Sequence, residues 1–247
     1  ILGAAAFGAG WAAVPGWLQA RRGSHVVITT IMFNFIASAL LVYLLVDVFR
    51  PADTMEPTSR VFGSGGKLPF LHDMLNAMGF AVPKTPLNLS FVLALLACVL
   101  VWLLIYRSRL GYAIRTVGAN PTAARYGGIS PERITIIAMA ISGALAGLMA
   151  INEILGVQHR LLLAFTGGYG FVGIAVALMG RSHPAGIVLA ALLFGVLYQG
   201  GTELAFDKPT ITRDMIVVIQ GLVVLFAGAL EFLFKPALAR LLAGKGD

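Results

Sequence analysis

The sequence predicts an all-α, polytopic membrane helix bundle of about seven spans, one of them broken, with a short helix in one polar connection. Three observations carry that reading. Of the 247 residues, 58% are hydrophobic and 12% charged, with mean hydropathy +0.88; a soluble domain carries about 25% charged residues. Apolar runs close to the ~20 residues a bilayer crossing requires recur along the whole chain. The basic residues gather in alternate connections, as membrane topology demands.

Seven runs qualify as spans: 1–18, 26–48, 89–106, 134–152, 161–180, 184–200 and 214–234. They are read as one membrane domain over 1–247. The first opens at Ile1 with no Met and no basic leader, so the N-terminus of a longer protein is expected to be missing. One set of connections holds eleven basic residues, from Arg21 and Arg22 through the cluster 107–133 and Arg181 to Lys245. Three acids oppose them: Glu132, Glu231 and Asp247. The other set holds seven basic residues against eight acids. The first set is therefore expected inside, with the C-terminus cytoplasmic. Because the positive charge lies in membrane-flanking loops and not on one amphipathic face, the net charge of +7 does not point to nucleic acid.

The longest outside connection, about 50–88, carries Leu71, Met74, Leu75 and Met78 at helical spacing, which predicts a short amphipathic helix. Run 134–152 contains Gly143 and Gly147, with Ser142, Ala146 and Ala150 as a second small-residue row. Both rows suit close helix packing. Run 161–180 is cut at Thr166-Gly167-Gly168; the remainder from Phe171 to Gly180 is about 15 Å of helix, half a bilayer. Gly167, Gly168, Tyr169 and Gly170 then either line a solute path at a broken helix or permit close packing.

Polar residues inside spans are functional candidates. Thr30, Asn34 and Ser38 fall at i, i+4 and i+8 on run 26–48 and are expected to share one helix face. Asn34 offers both donors and acceptors, which suits a polyhydroxylated or heteroaromatic solute. An interhelical hydrogen bond is the structural alternative. Asn152, Glu153, His159 and Arg160 stand at the outer end of 134–152, as an entrance or a wetted rim, and Gln220 is a candidate in the last run. Glu231 and Lys235 read as an ion pair.

Several chemistries are excluded. Gly168-Tyr-Gly-Phe-Val-Gly173 has the spelling of a dinucleotide fingerprint but apolar membrane surroundings, with no acid until Glu203. Gly63-Ser-Gly-Gly-Lys67 resembles a phosphate loop, yet Val61 stands where the first glycine belongs and Leu68 follows the lysine. The single cysteine, Cys98, forms no intramolecular disulfide and no metal cluster. The four histidines are scattered over separate connections, and no catalytic constellation or metal site is present in the sequence.

The polar interruption from Arg107 to Arg133 holds five arginines and one acid. Within it Asn120 is a favoured N-cap, Pro121 fits the first helical position, and Gly127 can take the left-handed conformation that ends a helix. The helix so defined, 121–126, is too short to be stable alone and needs a docking surface. Ala123 and Ala124 keep its face low enough to seat in a groove, while Arg125 and Tyr126 offer a charge and an aromatic anchor. Ser130-Pro131 repeats the start signal for the next span.

That segment, Val117-Gly-Ala-Asn-Pro-Thr-Ala-Ala-Arg-Tyr-Gly-Gly-Ile129, resembles the "GxNPxAARYAGI" stretch of permeases of ABC importers for simple sugars, nucleosides and branched-chain amino acids. Three further motifs follow the same order. Pro15 to Gly23 is similar to "PGxLKAxxG", Thr29 to Ala37 to "TIMLNYIA", and Phe171 to Pro184 to "FxGIAVALLGxxxP". Gly127-Gly128 stands where Ala-Gly is more usual. The resemblance implies a non-enzymatic transport subunit in a bacterial inner membrane, importing a nucleoside or simple sugar. It implies that Asn120 to Gly128 form a cytoplasmic coupling helix. Implied partners are an ABC ATPase subunit that uses ATP and Mg, a second permease subunit, identical or homologous, and an extracytoplasmic solute-binding protein, in surrounding lipid. No cofactor is implied in this chain. An ion-coupled transporter and a passive channel are the alternatives.

Overall fold

Regular structure in the computed structural model is helical throughout the described residues, apart from two isolated β-bridges. Those residues are 1–207 except 53, 54 and 82, together with 215, 217–219, 221–223 and 225–226. The chain divides into two compact units, 1–167 and 168–247.

The first unit opens with α1 (Leu2–Arg22) and α2 (Val26–Tyr43), the latter prolonged by a π-helical turn, Leu44–Val48. A short α3 (Leu71–Ala77) follows, where the apolar spacing predicts it. Next come α4 (Leu89–Arg107), α5 (Arg109–Ala119), α6 (Pro121–Tyr126) and α7 (Pro131–Ile151), the last prolonged by a π-helix, Asn152–Gln158. The second unit contains α8 (Tyr169–Met179) and α9 (Pro184–Asp207).

Among the described residues, four helical segments are long and apolar enough to cross a membrane: Val26–Val48, Leu89–Arg107, Pro131–Gln158 and Pro184–Leu204. The expectation of about seven is met only to that extent. Run 1–18 is helical, within α1, but the glycines, tryptophans, Pro15 and Gln19 of that helix dilute its apolar content. Run 161–180 forms a helix only over the 11 residues of α8, with 163–168 in turns; that helix is about 16 Å long. Run 214–234 lies largely outside the described residues, as do Gln220 and the Glu231–Lys235 pair. α2 and α4 bury no residue within the chain, so their apolar faces are left for lipid or other subunits.

The first unit is built on α1 against α7. A Cβ placed on Gly8 would overlap the Gly143 carbonyl, one on Gly143 the Ala12 methyl, and one on Gly147 the Ala4 carbonyl. A Cβ on Gly16 would sit 2.8 Å from the Met139 Cβ. The expected small-residue row on α7 therefore meets a matching row on α1, Ala4, Gly8, Ala12 and Gly16. In a bilayer the tails are as apolar as Leu, so close van der Waals contact is what holds such helices together. Glycine at residue 23, with φ of 66°, ends α1 in a left-handed turn. In the last turn of α1, Arg21 lies 3.8 Å from Glu132 at the start of α7. Both side chains are exposed, so the pair contributes little.

At the other end of α7 the long connection is laid along the chain. Ser59 N–H donates to the Leu161 carbonyl at 3.0 Å, Phe62 N–H to His159 at 2.8 Å, and Leu68 N–H to Leu155 at 3.0 Å. Its neck is closed by Leu71 N–H to the Leu87 carbonyl (2.8 Å) and Leu89 N–H to Pro69 (3.2 Å).

In the second unit α8 and α9 form a hairpin. Gly180 and Gly186 approach so closely that either Cβ would strike the other's backbone, and Val176, Ala190 and Phe194 make its buried core. Arg181 and Ser182 turn the chain in the left-handed region, at φ 52° and 53°.

Candidate functional site: a membrane groove and a capped helix

Two arrangements in the first unit bring candidate residues together. The first is a groove of about 520 Å³ between α1, α2 and α7. Thr30 and Asn34 line it, opposite Ser142, and Trp11 meets Phe33 edge to face at 5.5 Å on its wall. Among the described residues, no charged side chain lines it. The Thr30 hydroxyl donates to the carbonyls of Val26 (2.9 Å) or Val27 (3.1 Å), leaving its lone pairs as acceptors. Asn34 is exposed, and its amide makes no hydrogen bond among the described residues. Ser38 does not line the groove; Ala37 and Leu41 do. Each step of four residues advances about 40° round a helix, so Ser38 stands about 80° away from Thr30.

Glu153 lies in the π-helix, where it accepts from Gln158 Nε2 at 3.4 Å. Its neighbour Asn152 is held in a polar cluster: its Oδ1 accepts from Asn88 Nδ2 at 3.2 Å and from Ser90 Oγ at 2.6 Å. Asn88 is 5% exposed, caps α4 through Ser90 N–H at 2.9 Å, and presses on Gly156, where a Cβ would have no room. Asn152 is thus a structural tie between α4 and α7. The tie needs Asn88, which lies outside the intramembrane polar candidates; its position two before Ser90 at the head of an apolar run is a legible N-cap signal.

Gly167 and Gly168 are both left-handed, at φ 50° and 79°. Among the described residues, a Cβ on Gly168 or Gly170 would meet nothing within 4 Å. Gly167 and Gly168 shape a turn ahead of α8. Tyr169, the first residue of α8, is 43% exposed. The fingerprint-like Gly168–Gly173 follows turns and not a strand, and Gly63–Lys67 contains a single 3₁₀ turn.

The second arrangement is α6. Asn120 Oδ1 accepts from Thr122 N–H at 2.9 Å and Ala123 N–H at 3.0 Å, with Pro121 at the first position. The expected left-handed residue is one later than the sequence suggests. Gly127 is at φ −77° and Gly128 at +79°. The reason is the closing pattern: Ile129 N–H reaches the Ala124 carbonyl at 2.9 Å and Gly128 N–H the Arg125 carbonyl at 3.1 Å, a Schellman motif. A second correction concerns Ala124. It is 1% exposed, packed within the chain and not on a docking face. The outward surface is Pro121, Ala123, Arg125 and Tyr126, the last 91% exposed, with Gly127 and Gly128 beyond.

Nor does α6 stand alone in a loop. The residues before it form α5, capped by Ser108 Oγ accepting from Gly111 N–H at 3.0 Å. Gly111 is buried where any side chain would strike the Leu104 and Ile105 carbonyls of α4. Leu110, Ile114 and Val117 gave α5 a helical period that the density of arginines obscured. Ser130 precedes Pro131 at the start of α7 without a side-chain cap bond.

The family described as branched-chain amino acid transport system / permease component matches residues 1–228. The chain is 35% identical to the glucose ABC transporter permease protein TsgB13 of Haloferax volcanii, covering 94% of this chain and 61% of that one. It is 36% identical to the guanosine ABC transporter permease protein NupP of Bacillus subtilis, covering 94% and 65%. With the nucleoside ABC transporter permease protein NupB of Lactococcus lactis it shares 32% identity over 98% and 65%. The chain thus spans less than two thirds of these relatives' length. No solved structure matches it.

Proposed function

This chain belongs to the branched-chain amino acid transport system / permease component family, and we propose that it forms membrane path for an ATP-driven importer of a small neutral solute, a nucleoside or simple sugar. The observation that carries the reading is α6. A six-residue helix capped at both ends, seated on its own chain through Ala124 and turning Tyr126 outward, has the form of a part that another protein holds.

In this reading an ABC ATPase subunit grips Ala123, Arg125 and Tyr126 on the cytoplasmic side. ATP and Mg are used there, and the closure of the ATPase moves α6. The Ile129–Ala124 bond and the Pro131 start of α7 carry that movement into the helix that walls the groove. A second permease, identical or homologous, completes the path, and an extracytoplasmic binding protein delivers the solute. The setting is a bacterial inner membrane, with the C-terminus inside.

The solute class follows from the groove. Its wall is uncharged and partly aromatic, with hydroxyls at Thr30 and Ser142 and a free amide at Asn34. A zwitterionic amino acid would leave two charges uncompensated there. A neutral sugar or nucleoside needs only hydrogen bonds and an apolar face. Relatives named for glucose, guanosine and nucleosides support the same class. Tyr169 and Gly170, at the head of α8, and Gln220 are proposed as further path residues, and Glu153 as a rim residue.

Ion-coupled exchange would use charged groups within spans. In the four described spans the charged residues, Asp47, Arg107, Glu132, Arg133, Glu153 and Glu203, stand toward the ends. Reconstitution in proteoliposomes with the ATPase and binding protein tests the proposal: uptake should require ATP, and uptake of equal rate without it would overturn the importer reading.

A further inference from the structure

At the junction of α4 and α5 four side chains stack in series. The Arg107 guanidinium lies 5.8 Å from the Trp102 ring centroid, Trp102 lies 6.3 Å from Tyr106, and the Arg115 guanidinium lies 5.6 Å from the Tyr106 ring. Arg107 and Arg115 are exposed, and neither pairs with a carboxylate among the described residues. The one acid of the connection, Glu132, lies beside Arg21 instead. Arg109 and Tyr112 add a further exposed cation and aromatic ring on α5.

We propose that Arg107 and Arg115, held on Trp102 and Tyr106, bind the phosphate of an anionic phospholipid at the membrane surface. Three features point to that ligand. α4 is 19 residues long, about 28 Å, so a helix crossing the hydrocarbon layer brings its last turns, with Trp102 and Tyr106, to the headgroup boundary. Trp and Tyr favour that level because one end of each ring system is apolar and the other polar. Every basic residue from 107 to 133 is Arg and none is Lys. A guanidinium stacked on a ring keeps its in-plane donors for a two-point grip on phosphate, which an ammonium cannot offer. Basic sites between helices at this level recognise anionic headgroups. A protein carboxylate patch would supply charge but no acyl chains to lie along the exposed apolar face of α4, where Leu96, Val99 and Leu103 are uncovered.

The test is native mass spectrometry of the chain taken from micelles with equal phosphatidylglycerol and phosphatidylcholine. The wild type should retain phosphatidylglycerol roughly tenfold over phosphatidylcholine, a few-fold for each arginine. R107Q/R115Q should fall to near parity, while R160Q, remote from the stack in sequence, should match the wild type. R107K/R115K, which keeps the charge and loses the fork, should fall between. Y106L, with all charges kept, should also lower the preference and serves if the double glutamine variant fails to insert. Wild-type preference in R107Q/R115Q or in Y106L would overturn the site. So would lysines as good as arginines, which would mean diffuse charge, or equal retention of inorganic phosphate by lipid-free protein. Loss of ATPase association in R107Q/R115Q with lipid preference intact would assign the arginines to a protein contact instead.

Discussion

The amide of Ile129 donates to the carbonyl of Ala124 at 2.9 Å, across the left-handed turn at Gly128. This bond spans the end of α6 and the approach to α7, while Ala124 itself is buried. α6 therefore cannot move far without drawing on the first turn of α7. Ala124→Glu would bury a carboxylate in this seat, at a cost of several kcal/mol. Thermal unfolding in detergent should show a marked loss of stability. Ala123→Glu, on the exposed neighbour, should leave the melting temperature nearly unchanged and abolish ATP-dependent uptake.

The contact between α1 and α7 has no room for a side chain at residue 143. Gly143→Val should separate the helices and destabilise the unit by about 1–3 kcal/mol, the usual range for overpacking. A lowered melting temperature checks this. Val at Gly170, where a Cβ meets nothing within 4 Å, should have a far smaller effect.

Asn34 is exposed to the groove and makes no hydrogen bond among the described residues. Asn34→Leu should leave the melting temperature unchanged and raise the KM for uptake about tenfold, the value of one good hydrogen bond to solute. A lower melting temperature with unchanged KM would make the residue a structural contact.

Local signals were legible in the sequence, and contacts between distant segments were not. Asn120 and Pro121 announce α6 because caps depend on adjacent residues. Gly143 and Gly147 announce close packing, but their partners Ala4, Gly8 and Ala12 depend on which helix lies opposite. The burial of Ala124 is invisible for the same reason: helical position gives a face, and only the fold decides what covers it. The shift of the left-handed residue from Gly127 to Gly128 turns on a five-residue bond to Ile129, and two adjacent glycines left both choices open. The Asn88–Asn152 tie needs the π-helix at Asn152–Gln158, which re-aims side chains against the ordinary helical period. At the groove, Thr30 and Asn34 fall on the lining, and helical drift turns Ser38 away from it.

In the proposed function, ATP energy enters through the outward face of α6. Tyr126 tests it with least disturbance, because at 91% exposure it contributes little to the fold of this chain. Proteoliposomes holding the chain, its ATPase and the binding protein should be compared for wild type and Tyr126→Ala, measuring uptake and ATP hydrolysis together. The variant should keep its melting temperature and lose uptake about tenfold or more, equal to about 1.4 kcal/mol of coupling, with hydrolysis no longer stimulated by loaded binding protein. Wild-type uptake and stimulation in the variant would contradict the proposal.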